Sequence, residues 1–140
     1  MSIEKKQKEI IEEFEIFDDW MDKYAYLVDL GNELESMNKK DKSEENLISG
    51  CQSNVWITAE MKDGRMHFKA DSDAIITKGI ASLLIRVFEG ETPEDVLNSD
   101  LYFIDEIGLH QHLSPTRSNG LVAMVKRIKA YALAFNEQQK

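Results

Sequence analysis

Asp63-Gly64 stands between two strictly alternating runs, and this stretch limits the fold more than any other. Before it, Val55, Ile57, Ala59 and Met61 alternate with Trp56, Thr58 and Glu60. After it, Met66, Phe68 and Ala70 alternate with Arg65, His67 and Lys69. A period of two marks a strand with one buried face, and Asp-Gly is a preferred pair for a two-residue type I′ turn. Closing the turn between Lys62 and Arg65 sets Met61 against Met66 and Ala59 against Phe68. The apolar residues of both strands then share one side, and Glu60 faces His67 on the other. A one-residue slip would turn one apolar set outward, so the register is fixed.

The remaining apolar residues recur at helical spacing. Ile3, Ile10, Ile11 and Phe14 make one stripe, and Trp20, Tyr24, Leu27, Val28 and Leu34 a second, with a turn near Phe17-Asp18-Asp19. Residues 36–46, SMNKKDKSEEN, hold Met37 as their one apolar side chain and read as a loop. After the hairpin, Asp71-Ser72-Asp73 stops the strand and offers N-cap oxygens to a helix buried through Ile76, Ile80, Leu83, Leu84, Val87 and Phe88. Gly90 ends that helix, and Thr92-Pro93-Glu94-Asp95 starts another, with Thr92 as cap and Pro93 in the first helical position. A loose segment through Phe103 and Gly108 leads to a last helix with Leu121, Met124, Val125, Ile128, Ala132 and Phe135 on one face. The expected fold is α+β: a small antiparallel sheet, its hairpin at about residues 54–70, packed against several helices. At 140 residues the chain is expected to be a single domain, 1–140.

The net charge of −9 repels phosphate backbones and anionic lipid, so neither nucleic acid nor membrane is expected as a partner. The basic residues gather late: Arg117, Lys126, Arg127, Lys129 and Lys140 stand against Glu137 alone after residue 114. Either they are solvated, or they offer a basic stripe to an acidic partner. One cysteine excludes an intramolecular disulfide, and the first residues, MSIEKKQKEIIEEF, have no apolar run of signal-peptide length. No later segment is apolar enough to span a bilayer. A reducing cytoplasm is the expected compartment.

That cysteine, Cys51, lies in Gly50-Cys51-Gln52-Ser53-Asn54, at the mouth of the first strand. A lone cysteine can be a small buried hydrophobe. Here its neighbours are polar, and Gly50 lets the backbone turn sharply, which suits a thiol on a loop tip. The antiparallel return brings Asp71 opposite Trp56, so the helix start near Asp73 lies close to this loop, where its N–H groups favour a thiolate. Arg117 has no acid three or four residues away; it is either a solvated arginine or a partner for a thiolate or an acidic surface. His110 and His112, in LHQHL, have neither the spacing of a zinc site nor that of an established dyad, and no metal is expected.

Taken in order, Gly50-Cys51-Gln52-Ser53 before Val55-Trp56, then Asp71-Ser72-Asp73-Ala74, Lys78-Gly79, Thr92-Pro93, Gln111-His112-Leu113, Pro115, Arg117-Ser118 and Gly120-Leu121 resemble the SufE family of sulfur acceptors. Trp20, Tyr24 and Leu30-Gly31 extend the likeness toward the N-terminus. Asn54, Asn119 and Ala70 depart from the family pattern without touching the cysteine. The resemblance implies a SufE/IscU-like fold and a role beside a group II cysteine desulfurase of SufS or CsdA type. Cys51 would take sulfur from the desulfurase's persulfide, hold it, stimulate that enzyme, and deliver the sulfur to an iron–sulfur scaffold of SufBCD type. Gly50, Gln52, Ser53, Asp73, His112 and Arg117 would support the cysteine or contact the partner. No cofactor is implied beyond the transient persulfide sulfur, no independent turnover is expected, and a weak homodimer stays open.

The chemistry needs one thiolate and no metal. A thiol of pKa about 8.5 is only a few per cent ionised at neutral pH, so a drop of about one unit would raise the reactive fraction severalfold. Two rival readings stand: an interaction module with an inert Cys51, and a cysteine hydrolase using His110 or His112. A sheltered thiol that everts in the complex is the expected behaviour of the loop.

Overall fold

The alternation closes as the turn chemistry requires. β1 (Val55–Lys62) and β2 (Arg65–Ser72) pair antiparallel, with Met61 opposite Met66, Ala59 opposite Phe68 and Glu60 opposite His67. Asp63 and Gly64 take φ of 55° and 78°, both positive as a type I′ turn demands. Val55, Ile57, Met66, Phe68 and Ala70 are buried on the shared face. The structure, a computed structural model, describes residues 2–35, 37–48 and 53–138.

Two strands leave two open edges, each with unpaired backbone groups. Both are covered by segments that the sequence reading left outside the sheet. Along β1, the Ile48 N–H donates to the Val55 carbonyl at 2.8 Å and the Ile57 N–H to the Asn46 carbonyl at 3.1 Å, with Leu47 bridging Trp56. Along β2, the Gly90 N–H donates to the Met66 carbonyl and the Met66 N–H to the Glu91 carbonyl, each at 2.9 Å. This second cover changes the partner of His67. Its Nδ1 lies 2.6 Å from Glu89 Oε2, while Glu89 Oε1 accepts the Phe68 N–H at 2.8 Å.

The helices are α1 (Ile3–Glu15), α2 (Trp20–Asn32), α3 (Ile75–Phe88), α4 (Pro93–Leu97), α5 (Phe103–Glu106), α6 (Leu109–His112) and α7 (Pro115–Gln138). Ser2, Asp19 and Thr92 cap three of them, accepting the N–H groups of Lys5, Asp22 and Asp95. Such a cap is worth about 1 kcal/mol. The expected cap at Asp71-Ser72-Asp73 is only partly formed: Asp71 and Ser72 complete β2, Ala74 takes the cap position, where its N–H donates to the Ser72 Oγ at 3.2 Å, and the Asp73 carboxylate turns to Asn54. The segment expected to be loose holds α5 and α6. Buried Gln7 organises its start, accepting the N–H groups of Tyr102 and Phe103 and donating to the Asp100 carbonyl.

α3 is the helix around which the rest packs. It buries Ile80, Leu83, Leu84, Val87 and Phe88, and it meets β2, α1, α2 and α7. Its approach to α2 is backbone to backbone. A Cβ added to Gly79 would lie 2.3 Å from the Leu27 carbonyl oxygen, and one added to Gly31 would lie 2.8 Å from the Gly79 nitrogen. Neither is a distance real atoms keep, so both positions require glycine.

Asp71 points to the polar face of the hairpin and is nonetheless 5% exposed. Residues 37–42 fold over it: the carboxylate accepts the Ser72 N–H at 2.8 Å and the Met37 N–H at 3.4 Å, and it lies 3.2 Å from Lys42 Nζ and 3.4 Å from Lys78 Nζ. Burial by itself raises the acid's pKa. The Ser72 N–H, Lys42, the Met37 N–H and the charge of Lys78 together outweigh it and hold the carboxyl below its ordinary value.

Two outcomes follow from this packing. Gly79→Ala is expected to lower the urea midpoint by an amount equivalent to about 3 kcal/mol or to prevent folding, since the obstacle is the α2 backbone and not a flexible side chain. Asp71→Asn is expected to cost about 1–3 kcal/mol at neutral pH. Because the folded pKa is depressed, that advantage is present above the unfolded value of about 4 and is lost as pH falls through the folded one. Denaturation curves of wild type and variant should therefore converge in acid; a gap that persists there would refute the assignment.

Candidate functional site

Gly50, Cys51 and Gln52 lie outside the described residues, and the site is built from what flanks them. On the far side of the cysteine, Ser53 and Asn54 are held at the joint between β2 and α3. The Asp73 carboxylate accepts the Asn54 N–H at 3.1 Å and the Asn54 Nδ2 at 2.9 Å. The Asn54 carbonyl accepts the Ser72 hydroxyl at 2.8 Å and the Asp73 N–H at 3.2 Å. Every polar group of Asn54 except the side-chain oxygen is thus engaged by two consecutive residues. Ser53 Oγ lies 3.5 Å from Thr77 Oγ1, in the first turn of α3.

This clasp has a local cause. β2 ends where Ser72 still pairs with Val55, so the next residue, Asp73, emerges beside the residue that precedes Val55. A carboxylate there meets a free N–H at short range. The backbone of α3 starts two residues later, which brings its N-terminus next to Ser53 as the hairpin register predicts.

On the near side, Ile48 is hydrogen-bonded to Val55, so residues 49–54 form a six-residue connection closed by paired residues. Chain geometry alone keeps the Cys51 Cα within about 11 Å of those of Ile48 and Asn54, since it is three Cα–Cα steps from each.

Arg117 lies in the first turn of α7, where its N–H is bonded to Ser114 Oγ at 3.3 Å. It is exposed, and among the described residues its guanidinium has no hydrogen bond or ion pair. His112 ends α6 and stacks on Trp20, with ring centroids 3.9 Å apart and planes at 18°, while its carbonyl accepts the Tyr24 hydroxyl. Gly108, at φ 78°, lets the chain turn close to Trp20, whose ring an added Cβ would meet at 3.3 Å. The structure therefore brings Ser53 and Asp73 together through Asn54 and Thr77. Among the described residues no hydrogen bond or ion pair joins His112 or Arg117 to that group.

Asn54 and Thr77 were missed by sequence reasoning. The signal for Asn54 was present: the register that pairs Val55 with Ser72 sets Asn54 beside Asp73. Thr77 gave none, because a threonine in an apolar helix reads as core. The basic residues of α7 also differ from a stripe. Arg127 and Lys129 turn inward to backbone carbonyls of Glu45, Leu47 and Ser99, and Lys126 alone of the three is exposed.

The exposed surface near the joint is not wholly polar. Ile75, in the first turn of α3, is 63% exposed two residues after Asp73. An apolar side chain kept in water beside a polar clasp is suited to contact with another protein. Among the described residues no helix is long and apolar enough to cross a membrane.

Comparison with solved structures finds a likeness over nearly the whole fold. A hypothetical protein from Thermus thermophilus, solved in solution, superposes with a TM-score of 0.76 at 24% identity, covering 92% of this chain and 94% of that one. At that identity the likeness speaks for the α+β fold. Family assignment comes from sequence: the model of the SufE Fe-S metabolism associated domain matches residues 8–132, which include the cysteine connection, the clasp and both His112 and Arg117. By that match the chain belongs to the SufE family and to iron–sulfur metabolism.

Proposed function

We propose that the protein is a sulfur carrier: Cys51 accepts the outer sulfur of a persulfide held by a group II cysteine desulfurase, stimulates that enzyme by clearing its cysteine, and passes the sulfur to an iron–sulfur scaffold of SufBCD type. The observation that carries this reading is the placement of the sole cysteine of a SufE-family chain in a short connection whose two ends are fixed at one end of the hairpin, beside the start of α3.

The step balances without an added oxidant or reductant. The Cys51 thiolate attacks the outer sulfur of the donor's Cys–S–S⁻, one S–S bond forms and one breaks, and the donor cysteine leaves as a thiolate. A proton lost by Cys51 on ionisation is matched by one the donor thiolate can accept. A single thiol suits this chemistry, because a second one nearby could attack the new persulfide and release the sulfur. Cluster scaffolds use several thiolates per cluster, and this chain has one.

Within this reading Asp73, Ser53 and Gln52 shape the connection, Gly50 gives it backbone freedom, and His112 and Arg117 belong to the surface met by the desulfurase. The work is cytoplasmic, within a single domain of residues 1–140. A thiol sheltered between transfers is exposed by the partner.

Incubation with a group II desulfurase and free cysteine is expected to add one sulfur mass to the peptide carrying Cys51. Cys51→Ser should remove both the added mass and the stimulation of the desulfurase, while binding survives. Absence of the added mass in the wild-type protein, or its presence in the serine variant, would overturn the proposal. Asp73→Ala frees the Asn54 N–H and side-chain amide, and is expected to speed alkylation of Cys51 in the free protein severalfold. An unchanged alkylation rate would show that the clasp does not govern access to the thiol.

A further inference from the structure

The two ends of the cysteine connection are held by unlike means. The far end is fixed by its immediate neighbours in the hairpin. The near end, residues 46–48, is a three-residue edge segment that shares with β1 only the two hydrogen bonds from Ile48 and Ile57. So few bonds would not hold it in water.

Beside the buried side chain of Ile48, what holds it is α7. In this edge segment the groups of Asn46 and Ile48 face β1, so those of Glu45 and Leu47 face away from it. Those two outward carbonyls are taken by one guanidinium: Arg127 Nη1 donates to Glu45 O at 3.2 Å and Nη2 to Leu47 O at 2.9 Å. The arginine is half-buried, and with Ile48, Ala123 and Ala130 it lines a groove of about 290 Å³. One turn further along α7, the Tyr131 hydroxyl donates to Ile57 O at 3.0 Å, the carbonyl left over where the edge segment stops, and its ring lies 5.9 Å from the guanidinium carbon. A planar fork suits two carbonyls at alternate residues of a strand; an ammonium is a single point and does not.

We infer that Arg127 is a positioning residue for sulfur transfer: by gripping Glu45 and Leu47 it fixes the strand from which the Cys51 connection departs. The inference rests on the sulfur-carrier reading. It assigns to a helix eighty residues further along the chain a share in setting where the thiol is presented.

The test compares Arg127→Ala and Arg127→Lys with wild type in two measurements. The first is amide exchange at Ile48 and Ile57, whose N–H groups hold the edge segment, against Thr58 and Lys69, which pair within the hairpin. Loss of two charge-assisted bonds is expected to speed exchange at Ile48 and Ile57 on the order of tenfold or more in the alanine variant, less in the lysine variant, and hardly at Thr58 and Lys69. The second is single-turnover loading of sulfur onto Cys51 at saturating desulfurase, with affinity for the desulfurase measured separately. Loading is expected to slow by about tenfold in the alanine variant at unchanged affinity, as misplacement of a reacting group predicts. If the alanine variant does not fold, the lysine variant carries both comparisons, with the same directions.

Unchanged exchange at Ile48 and Ile57 would overturn the inference. So would equal acceleration at Thr58 and Lys69, which would mark a general loss of stability, or local loosening with unchanged loading. Failure of the wild-type protein to load sulfur would overturn the carrier reading itself, and with it the role of Arg127 in transfer, whatever the exchange shows.

Discussion

Backbone contact between α2 and α3 at Gly31 and Gly79 sets the height at which α3 lies under the hairpin, and the site is read off that height. Lys78, the residue before Gly79, reaches Asp71 at the end of β2. Thr77, one residue earlier, meets Ser53. Asp73, at the head of the same helix, holds Asn54. Moving α3 outward by the width of one methyl group would disturb all three contacts together. Interiors are close-packed and transmit such shifts instead of absorbing them.

Six cations of this acidic chain are turned to its own structure. Lys6 donates to the Glu89 carbonyl and pairs with Glu91, Lys129 takes the Ser99 carbonyl, Lys42 and Lys78 flank Asp71, and Arg127 takes two carbonyls. Arg86 pairs with Glu13, and that bond is the main reason the Glu13 carboxyl lies below its ordinary pKa. Tyr26, which donates to the same carboxylate, is pushed up to about 12, first by burial and then by its bond to Glu13. Through the shared Glu13 carboxylate, Tyr26 and Arg86 join α1, α2 and α3. Arg117 is not among those cations: it is exposed in the first turn of α7 with no ion pair among the described residues. A charge left in water costs nothing to carry and is available to a partner.

The turn and register of the hairpin were legible, because a period of two and a turn with one dominant chemistry leave a single register. So were the buried stripe of α3 and the Thr92-Pro93 start of α4. What stayed hidden depends on residues distant in sequence meeting in space. Nothing local marks 46–48 as an edge segment, since its pairing is dictated by the exposed groups of β1 and its hold by a side chain of α7. Likewise Asp71-Ser72-Asp73 has the composition of a helix cap, and it became a strand end and a clasp because the hairpin runs two residues longer than its apolar alternation. Gln7 reads as a surface residue in a charged helix, whereas it is buried because the backbone of residues 100–103 needs its amide. The two helix glycines stood out only through likeness to a family. The steric reason for them requires α2 and α3 to be seen side by side.

A thiol that must meet another protein's persulfide faces a conflict between reach and order. Free chain ends reach far but present the sulfur in many orientations, and each ordered residue costs about 1–2 kcal/mol of backbone entropy. A short connection closed by paired residues resolves this, because its closure cost is met by the hairpin and does not recur in each transfer. Here the connection is closed by the Ile48–Val55 hydrogen bond, braced at one end by Asp73 and at the other by α7. The reach of Cys51 is therefore limited to a few residues' length from that end of the hairpin. On the sulfur-carrier proposal, a donor cysteine has to come there, onto the surface that also carries Ile75 at the head of α3. Under that proposal the braced ends of the connection do for the thiol what a deep pocket does for a small substrate: they limit where the reacting atoms can meet and leave the final approach to the partner.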